Sequence, residues 1–213
     1  MNTVAIDEFA KKIAPMAETC PNFVVRNAVV DTIADICKKT NVLTGNSLLM
    51  TRKGENTYRI PTELDLVPLQ VRGAFCGGER IHPVHYDELV SMFNGDFSSE
   101  VGKPRYFFNR RPNWIIFYPC PDEAYEVNLD LTLSLARTMK SASVPDVFYT
   151  YYLDSVVWGA LGRIYRIAGQ AYTNVRLADQ YDMRYFASIN EIKHDATREF
   201  TRSSGHVPFR RII

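Results

Sequence analysis

His82 and His85 are the closest pair of histidines in the chain. The proline between them, Pro83, and the missing fourth residue deny the helical register of a metal-binding His-x-x-x-His, and no third ligand stands nearby in sequence. The glycines of Gly73-Ala-Phe-Cys-Gly-Gly78 are followed by neither the lysine nor the helix with which backbone amides cradle a phosphate, so a β-turn accounts for them. Serine does not occur in a Gly-x-Ser-x-Gly elbow, and Cys20, Cys37, Cys76 and Cys120 are scattered with no Cys-x-x-Cys pair. They read as reduced, mostly buried thiols rather than a zinc cluster or a disulfide framework. The carboxylates are dispersed, and no acid and base pair stands out in sequence. The expectation is a chain without enzymatic activity, metal or cofactor.

Two other groups of residues keep more interest. Tyr149, Tyr151, Tyr152, Trp158 and Tyr165 bring aromatic rings with polar tips, suited to a core or to a subunit interface. Tyr149, Tyr152, Val156, Trp158 and Tyr165 are the candidate interface residues. The C-terminus sets Arg198, Arg202, Arg210 and Arg211 among Phe209, Ile212 and Ile213. Large apolar side chains left in water would be wasted there, so residues 203–213 read as a docking arm, with His206, Val207, Pro208, Phe209, Arg210, Arg211, Ile212 and Ile213 as its contacts.

Helices must position these groups. Ile6, Phe9, Ala10 and Ile13 predict a first helix over 3–17, with Pro15 ending or distorting it. Val25, Ala28, Val29, Thr32, Ile33 and Ile36 predict a second, with Pro21 in its first turn and Lys38 and Lys39 at its end. From Ser47 to Leu135 the period becomes two, as in half-buried antiparallel strands, with turns at Gly77-Gly78 and at Arg110-Arg-Pro-Asn113 and a helical turn over 85–93. Helix returns at Pro145, with Leu153, Val157, Ala160, Leu161, Ile164 and Ala168 inward and Gly169 as its cap. Its opposite side is also apolar, which places it at the centre of a bundle or at a subunit interface. Asn174 predicts the N-cap of a last helix running to about 201.

The fold class is therefore α+β: a helix bundle from residues 1–46 and 140–202, an inserted antiparallel β sub-domain over 47–139, and an extended arm over 203–213. The chain has 213 residues, 46% hydrophobic and 23% charged, a globular composition. Its net charge of +1 offers no broad field for holding DNA, so a sequence-specific DNA reader is not expected. The N-terminus has acidic residues where a signal peptide needs basic ones, and no apolar stretch approaches a membrane span, so folding in a cytoplasm without membrane contact is expected.

The order of motifs resembles the tail-adaptor, or head-to-tail connector, proteins of tailed bacteriophages. The resemblance runs through Gly102-Lys-Pro-Arg-Tyr106, Trp114-Ile-Ile-Phe-Tyr-Pro-Cys-Pro121 and the long alternating strand to Leu135. It continues in Val144-Pro-Asp-Val-Phe-Tyr149, Trp158-Gly-Ala-Leu-Gly-Arg163, Ile167-Ala-Gly-Gln170 and Asn174-Val-Arg-Leu-Ala-Asp-Gln-Tyr181, and in the helix over 25–39. The resemblance implies a structural virion protein that forms a ring, commonly of twelve copies, below the portal. It implies a portal protein as partner of residues 205–213, a tail or nozzle protein as partner of the β part, and genomic DNA passing through the channel without specific binding. The residues alone leave two rivals: a virion-associated hydrolase, and a DNA-binding or packaging accessory protein.

Overall fold

The structure, a computed structural model, describes residues 2–63, 65–92, 100–138 and 142–197. Thr3–Ala5 form a strand, β1, before helix α1, Ile6–Ile13, so the first helix starts three residues later than its apolar spacing predicts. The cause lies in a segment distant in sequence, because β1 pairs antiparallel with β9, Ser143–Pro145, placing Thr3 opposite Pro145. Pro145 is thus a strand residue and not the first turn of a helix. Beyond it the chain makes a short turn of helix, α4, Val147–Thr150, breaks at Tyr151 and Tyr152, and then forms α5, Leu153–Tyr165. The run Val-Phe-Tyr-Thr-Tyr-Tyr is poor in good helix formers, and helix holds only once the periodic apolar residues from Leu153 begin. With α5 ending at Tyr165, Ala168 is exposed and Gly169, at φ 75°, serves a later turn instead of the cap.

Helix α2, Asn22–Thr40, starts just after Pro21 and ends at Asn41, whose left-handed φ of 56° does the work usually left to glycine. Helix α6, Val175–Thr197, opens as the sequence predicts: the Asn174 side-chain oxygen accepts the Leu177 N–H at 3.1 Å. The predicted continuation of α6 toward residue 201, and the whole arm, lie outside the described residues.

Between the helices, seven strands join in the order β2-β8-β4-β5-β6-β7-β3. They are β2 (Thr44–Met50), β3 (Thr57–Arg59), β4 (Leu66–Cys76), β5 (Glu79–Pro83), β6 (Tyr106–Phe108), β7 (Trp114–Tyr118) and β8 (Glu126–Leu135). Strand β2 begins three residues before Ser47 because Thr44, Gly45 and Asn46 pair with Thr132, Leu131 and Asp130. Both predicted hairpins are present: Gly77 and Gly78 turn with φ of 58° and 83°, and Asn113, at 64°, closes the turn into β7. One pairing departs from the antiparallel expectation. β5 meets β6 in parallel, because helix α3, Tyr86–Met92, and the segment after it carry the chain across before it returns.

Strand β8 shows how sheet and helices share one core. Its first residues alternate exposed and buried, but from Leu131 to Leu135 every residue is buried. Leu129, Leu131 and Leu133 face into the curl of the sheet, while Ser134, on the other face, reaches the Ala34 carbonyl of α2 at 3.4 Å. The buried apolar cluster accordingly runs without a gap from α1 and α2 through β4, β7 and β8 to α5 and α6.

Candidate functional site

The histidines stand apart. His82 lies in β5 with its ring 6.5 Å from that of Tyr106, and His85 precedes α3, so the two sit on different elements. No group of three His, Cys, Asp or Glu residues among the described ones could hold a metal ion. The acids with shifted affinity are ion-pair partners. Burial pushes the Asp35 carboxyl up, but hydrogen bonds from Lys39 and Tyr185 and the charges of Lys39 and Arg163 outweigh it and hold the group below the usual carboxylate range. Glu79 is held low by Lys103 at 2.8 Å. Downward shifts suit structural anions, whereas a general acid needs its affinity raised. The four thiols are free, and burial pushes Cys37 up to about 12.

What the sequence reading missed is how α5 is fixed. Tyr185 of α6 donates to Asp35 of α2 at 2.6 Å, and Arg163 of α5 reaches the same carboxylate at 3.2 Å and the Thr32 hydroxyl at 3.1 Å. One partly exposed carboxylate therefore ties three helices together. Arg166 adds a second tie from the end of α5 to Asp179 and Asp182 of α6. Gly159 and Gly162 make the close approach possible: a methyl group on Gly159 would stand 2.5 Å from Thr32 and 2.9 Å from the Tyr185 ring, and one on Gly162 2.3 Å from the Asp182 carboxylate. The readable signal was two glycines three residues apart in an otherwise apolar helix, a spacing that puts both on one face.

The candidate interface residues divide. Val156 is fully buried, and Tyr152 and Tyr165 are each 6% exposed, because α5 is central among the helices and its apolar second side packs inside this same chain. Tyr149, edge-to-face with Phe9 at 5.2 Å, and Trp158 are half-buried and keep a surface. Tyr151 is the most exposed of the aromatic group. The arm residues, His206 to Ile213, fall outside the described residues.

Exposed apolar side chains collect elsewhere. Along α6, Val175, Met183 and Phe186 stand out on one flank, with Met183 67% exposed. On the outer face of the sheet, Leu48 of β2 and Phe75 of β4 lie in one row across Asn128. Such side chains, spread over a helix flank and a sheet face, suit contacts with other proteins better than a substrate cleft. No helix among the described residues is long and apolar enough to cross a membrane.

Comparison with known proteins agrees with an assembly role. No curated protein matches the chain. The family model for the SU10 adaptor protein matches residues 6–209, from the first residue of α1 through every helix and every strand after β1 and on to Phe209. With nearly its whole length matched, the chain belongs to the SU10 adaptor protein family, a family of phage head–tail adaptors.

Proposed function

We propose that this virion protein acts as a ring subunit below the portal, joining capsid to tail and continuing the DNA channel. The family match over residues 6–209 is the observation that carries the reading. In this arrangement residues 203–213 dock on the portal, the sheet faces the tail or nozzle protein, and neighbouring copies meet through the helical part. The free surface of Tyr149 and Trp158 and the apolar flank of α6 supply side chains for that lateral contact. Ring closure adds a lateral neighbour for each docked subunit at high effective concentration, so a weak single contact suffices. DNA passes without specific binding, consistent with the net charge of +1.

The test is capture by the cognate portal of the full chain and of a chain ending at residue 202. Capture of the full chain and loss of capture on truncation is the expected result. Equal capture of both removes the arm from the reading.

A further inference from the structure

Strand β4 keeps β8 beside it along its whole length, but its other neighbour stays with it only briefly. β5 pairs with β4 from Ala74 to Cys76 and then parts from it to run beside β6, where His82 stands opposite Tyr106 and Pro83 opposite Phe107. The sheet therefore splits. The split holds a cavity of about 500 Å³, with Pro68 to Val71 of β4 along one side and Pro83 to Tyr86 and the β6–β7 turn along the other. Its floor is apolar, since Ile60, Val71 and Phe107 belong to the main core.

The rim differs from the floor. Gln70, His85, Asn109, Arg110, Arg111 and Asn113 line it, and no carboxylate does. Arg110 and Arg111 are exposed and have no ion pair among the described residues. The Arg110 guanidinium lies over the Tyr86 ring, 3.7 Å from its centroid, and that ring packs on Phe108 at 5.8 Å between centroids. Stacking fixes the guanidinium plane and leaves the N–H fork at its edge for a carboxylate. Across the same turn lies a second hollow of about 310 Å³, lined by both arginines with Thr57, Ile116 and the 40% exposed Trp114. An arginine ridge thus stands between two hollows, and its Trp, Tyr and Arg side chains are the types that dominate protein interfaces.

We propose that this ridge binds an acidic segment of a partner protein, whose carboxylates meet Arg110 and Arg111 while neighbouring large apolar side chains enter the two hollows. Charge complementarity selects the occupant. The rim carries positive charge with no carboxylate of its own, so it attracts an acidic segment and repels a basic one, and the apolar floor calls for more than a small anion. A nucleic acid fits less well. A phosphate chain is held along a track of several cations, whereas here Asp87 and Glu88, exposed directly after Tyr86, bring negative charge beside the ridge. Only the identity of the partner, a tail or nozzle protein, rests on the proposed function. The binding chemistry rests on the split in the sheet.

The test is NMR titration of the full chain with the peptide acetyl-Glu-Phe-Glu-Leu-Glu-amide, its counterpart acetyl-Lys-Phe-Lys-Leu-Lys-amide and a short oligothymidylate. The acidic peptide is expected to shift the Trp114 indole and the Arg110 and Arg111 side-chain N–H signals saturably. Arg110→Glu with Arg111→Glu is expected to weaken that peptide roughly tenfold or more and to turn the preference toward the lysine peptide. Unmoved Ile115 and Phe117 amides show that the sheet of this variant is intact; if they move, Arg111→Gln, a milder change at an exposed position, decides by the same weakening of the acidic peptide. Absence of shifts at about 1 mM peptide overturns the proposal, as does equal binding of the two peptides. Tighter binding of oligothymidylate at the same signals also overturns it, by assigning the site to nucleic acid. Portal capture involves none of these peptides and is scored separately, so a failed titration beside normal capture sinks the ridge as a binding site and leaves the adaptor reading standing.

Discussion

Replacing Gly159 by alanine tests whether the close approach at the centre of α5 holds the helices in place. Alanine in a helix interior is favoured over glycine by about 1 kcal/mol, so the intrinsic effect is stabilising. Against it stands the methyl group, 2.5 Å from the Thr32 side chain and 2.9 Å from the Tyr185 ring. Neither neighbour can give way cheaply, since Thr32 is fully buried and bonded to both the Ala28 carbonyl and Arg163, and Tyr185 is held by Asp35. Overpacking of this kind costs roughly 3 kcal/mol at the upper end of its usual range. The balance is a loss of about 2 kcal/mol, which for a chain of this length lowers Tm by roughly 4–8 °C. Urea and thermal unfolding measured by circular dichroism give the number, with Gly102→Ala as the control, because a methyl group there meets nothing within 4 Å. Gly159→Ala as stable as the parent would refute the close-packing argument.

The same network sets further outcomes. Tyr185→Phe removes the donor to Asp35 and should cost about 1.5–3 kcal/mol, the usual worth of a hydrogen bond to a charged group, measured by urea unfolding at pH 7. Asp35 titrates lower in the folded chain than its ordinary 3.8, so its contribution is complete above that value and is lost as pH falls through the folded one. The stability gap between the parent and Asp35→Asn should therefore be widest near neutral pH and narrow as the pH falls below the ordinary carboxylate range, and a gap independent of pH contradicts the assignment. Thiol labelling of the native protein, read by mass spectrometry, should modify Cys20 and Cys120 first and reach Cys37 and Cys76 only on unfolding, since the latter two are buried. Rapid labelling of Cys37 would mean that α2 opens locally.

Local signals carried much of the architecture. The stripe from Val25 to Ile36, the paired glycines at 77 and 78 and the cap at Asn174 each depend on neighbours in sequence, and each was legible. The errors came where a distant partner decided. Thr3 to Ala5 look helical by spacing and become a strand only because Ser143 to Pro145 arrive opposite them. Val156, Tyr152 and Tyr165 offer an apolar face whose burial within this chain, under the helices packed on α5, is set by distant segments and is not readable from local spacing. The contact between the Ser47 hydroxyl and the Pro61 carbonyl was likewise invisible, because it exists only where the two ends of a curled sheet approach.

The central claim is an assembly role between head and tail, and electron microscopy with native mass of the purified chain, alone and with its cognate portal, tests it most directly. The account predicts a ring of this protein stacked coaxially on the portal, with density for the C-terminal arm at the junction. A monomer that ignores the portal under conditions where the portal itself is intact would contradict it.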